Sequence, residues 1–134
     1  MASIRKIIPL GAGPQDAWEA LCDFGAVHER VAPGFVTGVR RDGDDRIVTF
    51  ANGAEAQERL VSADDGLRRL VYAVVRSDLG FTHHQASVEV LDDAAGRAGC
   101  RLAWTTDLLP DELAPVVDGL MDEGAAAIAR ALGG

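Results

Sequence analysis

Two ionisable side chains, Glu58 and His84, stand where strand periodicity turns them toward an interior. Over 54–63, Ala56, Glu58 and Leu60 alternate onto one face, and a core-facing Leu60 would carry Glu58 inward with it. An inward carboxylate must find a partner or take up a proton, because a lone buried charge is very costly. Over 81–91, the apolar Val88 and Val90 define the inward face, which assigns His84 and Ala86 to it and leaves Gln85, Ser87 and Glu89 outside. A carboxylate and an imidazole facing one cavity could serve as base and acid, or bind the polar end of a ligand. The plainer alternatives are a surface glutamate, since Gln57 and Arg59 are polar as well, and a rim histidine with no catalytic role. His83 points away from His84, so the pair cannot chelate one metal ion.

The aromatics are the next candidates. Tyr72 shares a face with Leu70 and Val74, and Trp104 shares one with Leu102 and Thr106. Both side chains carry a polar handle that seeks a partner when buried, although core packing alone would account for them. Phe81 sits at the rim of a loop over 77–81, and Trp18 would pack a first helix onto the rest of the chain. Other chemical signatures are lacking. No nucleophile elbow, Walker loop or dinucleotide-binding glycine pattern occurs, and Asp64–Asp65 and Asp92–Asp93 do not follow a calcium-loop pattern. Cys22 and Cys100 form no metal-ligand spacing and read as reduced thiols packed like small hydrophobes. No metal site and no cofactor is expected.

These residues need a scaffold. Residues 3–10 read as a strand, and Pro14 opens a helix that ends near 23–24 with Gly25 beyond it. A second short helix is expected over 26–31. From 35 to 109, β-rich runs alternate with turn signals at the spacing of an antiparallel meander. The expected strands are 35–41, 46–50, 55–63, 67–76, 81–91 and 98–109. The turns between them fall at Asp42–Asp45, Asn52–Gly53, Asp64–Gly66, Ser77–Gly80 and Asp92–Gly96. After Pro110 a long helix carries Leu113, Val116, Val117, Leu120, Met121, Gly124, Ala125, Ile128, Ala131 and Leu132 on one face, and Gly133–Gly134 closes it. A six-strand run must bury one face, and only that helix is large enough to cover it. The small residues from Gly124 to Ala127 let something approach the helix closely, either the sheet or a partner chain, and leave a homodimer open.

Composition narrows the function. The chain of 134 residues is 48% hydrophobic and 25% charged, which fits one soluble domain over 1–134. A formal net charge of −8 argues against nucleic-acid binding and against docking on anionic membranes. No run reaches the ~20 apolar residues of a membrane span. The first residues do not form a signal peptide, so the cytoplasm is the expected location.

The element order, with the segments Pro14-Gln-Asp-Ala-Trp18-Glu-Ala-Leu-Cys-Asp-Phe24, Glu58-Arg-Leu-Val-Ser-Ala-Asp-Asp65 and Trp104-Thr-Thr-Asp107-Leu-Leu-Pro110, resembles the START-like helix-grip superfamily (SRPBCC; polyketide cyclase/dehydrase and lipid transport) over essentially the whole chain. The resemblance implies an α+β fold in which a curved seven-stranded antiparallel sheet wraps a long C-terminal helix, with two short helices after the first strand. The chain is distantly similar to the plant abscisic acid receptors, which carry a comparable Glu-Arg-Leu strand followed by acidic turn residues. That similarity implies a Glu58 directed into a ligand cavity. It also implies that the loops 52–54 and 77–81 correspond to two that close over hormone, although their receptor sequences are not reproduced. At the position of His84 the receptors carry a cavity-facing tyrosine, so the chain departs there.

The expected function is binding of a small, mostly apolar organic molecule between sheet and C-terminal helix. Its contacts would come from Thr37, Ala56, Glu58, Tyr72, Phe81, His84, Trp104 and Leu120. One alternative is a polyketide cyclase/dehydratase-type enzyme using Glu58 and His84, which a polar cavity would favour. Another is an interaction protein with a collapsed cavity, which a volume below ~300 Å³ would favour.

Overall fold

A computed structural model describes residues 1–93 and 98–133. Seven strands form one curved antiparallel sheet: β1 (Ala2–Leu10), β2 (Val36–Asp42), β3 (Asp45–Phe50), β4 (Glu55–Asp64), β5 (Arg69–Ser77), β6 (His83–Asp92) and β7 (Cys100–Leu109). Their order is β1-β7-β6-β5-β4-β3-β2, so β2 to β7 form a meander and β1 returns to lie beside β7. Between β1 and β2 lie α1 (Pro14–Cys22), a 3₁₀ turn (Phe24–Ala26) and α2 (Val27–Arg30). The long helix α3 (Ala114–Ala131) follows β7 after a 3₁₀ turn (Asp111–Leu113). The expected turn at Asp92–Gly96 lies partly outside the described residues, as does Gly134.

Local chemistry accounts for these boundaries. Pro14 starts α1 at a position where its missing N–H costs nothing. Gly53, at φ 86°, adopts the left-handed conformation that the β3–β4 turn requires. The core lies between the concave face of the sheet and the helices. Leu10, Leu70, Val88, Val90 and Leu102 meet Trp18, Leu21 and Ile128 there. Trp18 is 3% exposed, and its Nε1–H donates to Asp65 at 2.9 Å, which ties α1 to the β4–β5 turn. Lys6 on β1 binds Asp118 and Asp122 of α3 at 2.7 and 2.8 Å.

Several expectations about facing need correction. The buried stripe of α3 is Val117, Met121, Gly124, Ala127 and Ile128, whereas Val116 and Ala131 are exposed. Only a narrow stripe fits into the sheet's concavity. Gly124 faces the sheet, because a Cβ there would stand 3.0 Å from the Trp104 indole and 3.2 Å from the Phe35 ring. Cys22 is exposed at the last residue of α1, where the helix leaves the core, while Cys100 is buried as expected. Leu60 keeps the phase of Glu58, since it pairs with the inward Tyr72, but it is 39% exposed and lies outside the core.

The β5–β6 seam of the sheet is short. β6 pairs with β7 along its full length, from His83↔Leu109 to Asp92↔Cys100. Its pairing with β5 runs only from Arg69↔Glu89 to Tyr72↔Ala86. Beyond Tyr72, the paired ladder of β5 continues on its β4 side alone.

Candidate functional site

A cavity of about 150 Å³ lies between the concave face and α3. Its walls are mostly aliphatic and aromatic, including Phe35, Val48, Phe50, Leu120 and Met121. Polar side chains enter it from β3 to β7.

The first polar group is an ion pair. Glu58 is inward, 8% exposed, and its Oε1 accepts a hydrogen bond from Arg46 Nε at 2.8 Å. Arg46 is 7% exposed. It also donates from Nη1 to the Phe24 carbonyl at 3.0 Å, and its guanidinium lies 3.8 Å from the centroid of the Phe24 ring. These contacts answer the need of a buried charge for a partner and for hydrogen bonds around it. Direct cross-strand pairing of Arg46 with Glu58 brings the two together.

Tyr72 and Trp104 form the second group. Trp104 Nε1–H donates to Tyr72 Oη at 3.2 Å. Burial, with Glu58 nearby, pushes the Tyr72 phenol up, so it stays protonated. The Oη therefore accepts from the indole and keeps its own hydrogen to donate.

The third group is His84. Its Nδ1 accepts the backbone N–H of Val74 at 3.0 Å, at the place where β5–β6 pairing has ended. The imidazole thus replaces a missing ladder carbonyl. An Nδ1 that accepts puts the ring proton on Nε2. Burial lowers the His84 pKa to about 4, so the ring is neutral near pH 7. The Phe81 and Tyr72 rings lie with centroids 5.0 and 6.1 Å away.

Of the residues singled out from sequence, Ala56, Glu58, Tyr72, Phe81, His84, Trp104 and Leu120 line this one cavity. Thr37 does not. It is exposed on β2 and bonds the Thr49 carbonyl at 3.2 Å, because Val36 takes the inward position and alternation turns Thr37 out. Sequence reasoning missed Arg46. The Asn52–Gly53 turn holds the signal, since a hairpin pairing Thr49 with Glu55 also sets Arg46 opposite Glu58. Among the described residues, no group of three or more His, Cys, Asp or Glu side chains could hold a metal ion. No helix among them is long and apolar enough to cross a membrane.

A family model described as polyketide cyclase / dehydrase and lipid transport matches residues 1–133, and the chain belongs to that family. No curated protein sequence matches the chain. Among solved structures, the protein XoxI from Bacillus cereus superposes with a TM-score of 0.85 at 16% identity, covering 98% of this chain and 96% of that one. A Thermobifida fusca protein is 29% identical with a TM-score of 0.73, covering 99% and 97%. Norcoclaurine synthase from Thalictrum flavum, solved with dopamine and hydroxybenzaldehyde, is 20% identical with a TM-score of 0.70, covering 96% and 84%.

Proposed function

We propose that the protein binds a small, mostly apolar organic molecule in the cavity between sheet and α3. The observation that carries this reading is a mostly apolar cavity with a few polar side chains in its lining, the arrangement expected of small-molecule sites. Glu58, Arg46, Tyr72 and His84 supply the polar groups, and Phe35, Phe50, Phe81 and Leu120 supply apolar walls. The family's description and the ligands bound by norcoclaurine synthase support the same reading. The cavity, at about 150 Å³, lies below the ~300 Å³ under which an interaction protein with a collapsed cavity is favoured, so the binding reading requires a small ligand.

Catalysis by Glu58 and His84 draws less support. The Glu58 carboxylate is engaged by Arg46, and His84 Nδ1 is occupied by the Val74 N–H, which leaves His84 a neutral donor. Neither group is poised to take a proton from a substrate.

Native mass spectrometry of protein purified from its own host, with denaturing extraction of anything bound, tests the binding reading. A stoichiometric small molecule is expected. Protein that stays empty, and that gains no thermal stability from any apolar small molecule, would favour a closed cavity in an interaction protein.

A further inference from the structure

We propose that the ligand of this cavity is a neutral molecule built on a single ring and bearing a hydrogen-bond-accepting oxygen, in chemical class a monocyclic ketone or aldehyde. The inference rests on the ligand-binding reading above and adds the size, charge and polarity of the occupant.

Size comes from the enclosure. A mostly apolar cavity of about 150 Å³ lies behind Gly124, whose missing side chain lets Trp104 and Phe35 close against α3. Apolar cavities of ~150 Å³ hold a benzene-sized guest. A second fused ring would have to project out of the cavity into solvent.

Charge comes from the pairing already made. Arg46 and Glu58 are the oppositely charged residues of the lining, and they are bonded to each other at 2.8 Å. Arg46 is held further by the Phe24 carbonyl and ring. An anionic ligand would meet the Glu58 carboxylate beside a guanidinium whose charge is already paired. A cationic ligand would have to displace that guanidinium, and breaking a buried pair leaves an uncompensated charge. A neutral ligand disturbs neither.

Polarity comes from the donors that remain. His84 spends Nδ1 as an acceptor for the Val74 N–H, so Nε2–H is its free group. Tyr72 Oη accepts from Trp104, so its O–H hydrogen is free to donate. The two rings lie 6.1 Å apart, centroid to centroid, and both face the cavity. Ser77 and Thr106 add hydroxyls to the same lining, and an oxygen placed between the Tyr72 and His84 rings would accept from both donors.

The test titrates the wild-type protein with four probes, followed by calorimetry and by amide shifts in ¹H–¹⁵N spectra. The probes are acetophenone, α-methylstyrene (the same shape with CH₂ for oxygen), benzoate and 2-acetylnaphthalene. Acetophenone should bind saturably, with shifts at Tyr72, Val74 and His84, about tenfold more tightly than α-methylstyrene. Benzoate and 2-acetylnaphthalene should each bind more weakly than acetophenone. Tyr72→Phe should reduce the advantage of acetophenone over α-methylstyrene, leaving the part that His84 Nε2–H supplies. Equal affinity for acetophenone and α-methylstyrene would overturn the accepting oxygen. Preference for benzoate would overturn neutrality, and preference for the naphthyl ketone would overturn the single ring. In each of those outcomes ligand binding itself survives. Failure of all four probes to bind would overturn this assignment of the occupant, while native mass spectrometry of the protein from its own host decides the binding reading itself.

Discussion

Lowering the pH from 7.5 to 4.5 protonates His84 in the unfolded chain long before it does so in the folded one. Burial holds the folded pKa at about 4, against 6.5 for an ordinary histidine. Between these values the unfolded state binds more protons, so stability rises with pH. The contribution is complete above pH 6.5, is lost as pH falls, and is gone once pH reaches the folded value. The interval from 6.5 to about 4, at ~1.4 kcal/mol per pH unit, makes the full loss about 3 kcal/mol. Asp45 and Glu55, held below the usual carboxylate range by hydrogen bonds from Arg59 and Arg40, lose their contributions at lower pH. The window from 6.5 to 4.5 therefore isolates the histidine. The assay is urea unfolding at half-unit steps for wild type and for His84→Gln, which lacks a titrating ring. Over that window the stability difference between the two should change by about 2–3 kcal/mol, and the imidazole ¹⁵N signals should hold the Nε2–H tautomer to below pH 5. Parallel stability curves, or a His84 midpoint near 6.5, would refute the assignment of a buried neutral ring bonded to Val74.

Other perturbations follow from the same geometry. Arg46→Met should cost about 3–5 kcal/mol in urea unfolding, because it leaves the Glu58 carboxylate buried and unpaired, and Arg46→Met with Glu58→Leu should recover most of that loss. Gly124→Val should drive a side chain into the Trp104 and Phe35 rings, which stand only 3.0 and 3.2 Å from where its Cβ would sit. The expected result is a stability loss of about 1–3 kcal/mol, with loss of acetophenone binding in the same titration. Trp18→Phe keeps the ring in the core and removes the bond to Asp65, so thermal unfolding should report a loss of about 1 kcal/mol.

Much of the architecture was legible because it rests on short-range chemistry. Turn signals at Asn52–Gly53 and Asp64–Gly66 fix the meander, and alternation over Ala86, Val88 and Val90 places His84 inward, as the structure has it. Glu58 was placed correctly through Leu60, which shares its face by pairing with Tyr72 but is itself exposed, so alternation gave the face and not the burial. How far along a face the core reaches depends on tertiary packing and leaves no mark within 54–63 itself. Thr37 failed for another reason, because one position of phase decides which side of β2 faces in. Arg46 shows the limit of reading strands singly. Its pairing with Glu58 exists only across the hairpin, and its contacts with Phe24 come from a segment outside the sheet. The cost of burying a charge predicted a partner for Glu58 without naming it.

The imidazole at the β5–β6 seam has a mechanical consequence. The sheet divides there into a β1-β7-β6 block and a β5-β4-β3-β2 block, and at this end the two are joined by a ring and not by a peptide ladder. A ladder bond can be lost only by separating backbones, whereas this one can be released by a rotation of χ1 or by a single proton. Isotope exchange at the Val74 amide should therefore follow the chemistry of a side chain 10 positions along the sequence, not the breathing of its own strand. At this end of the seam, side-chain chemistry and not a peptide ladder holds β5 to β6.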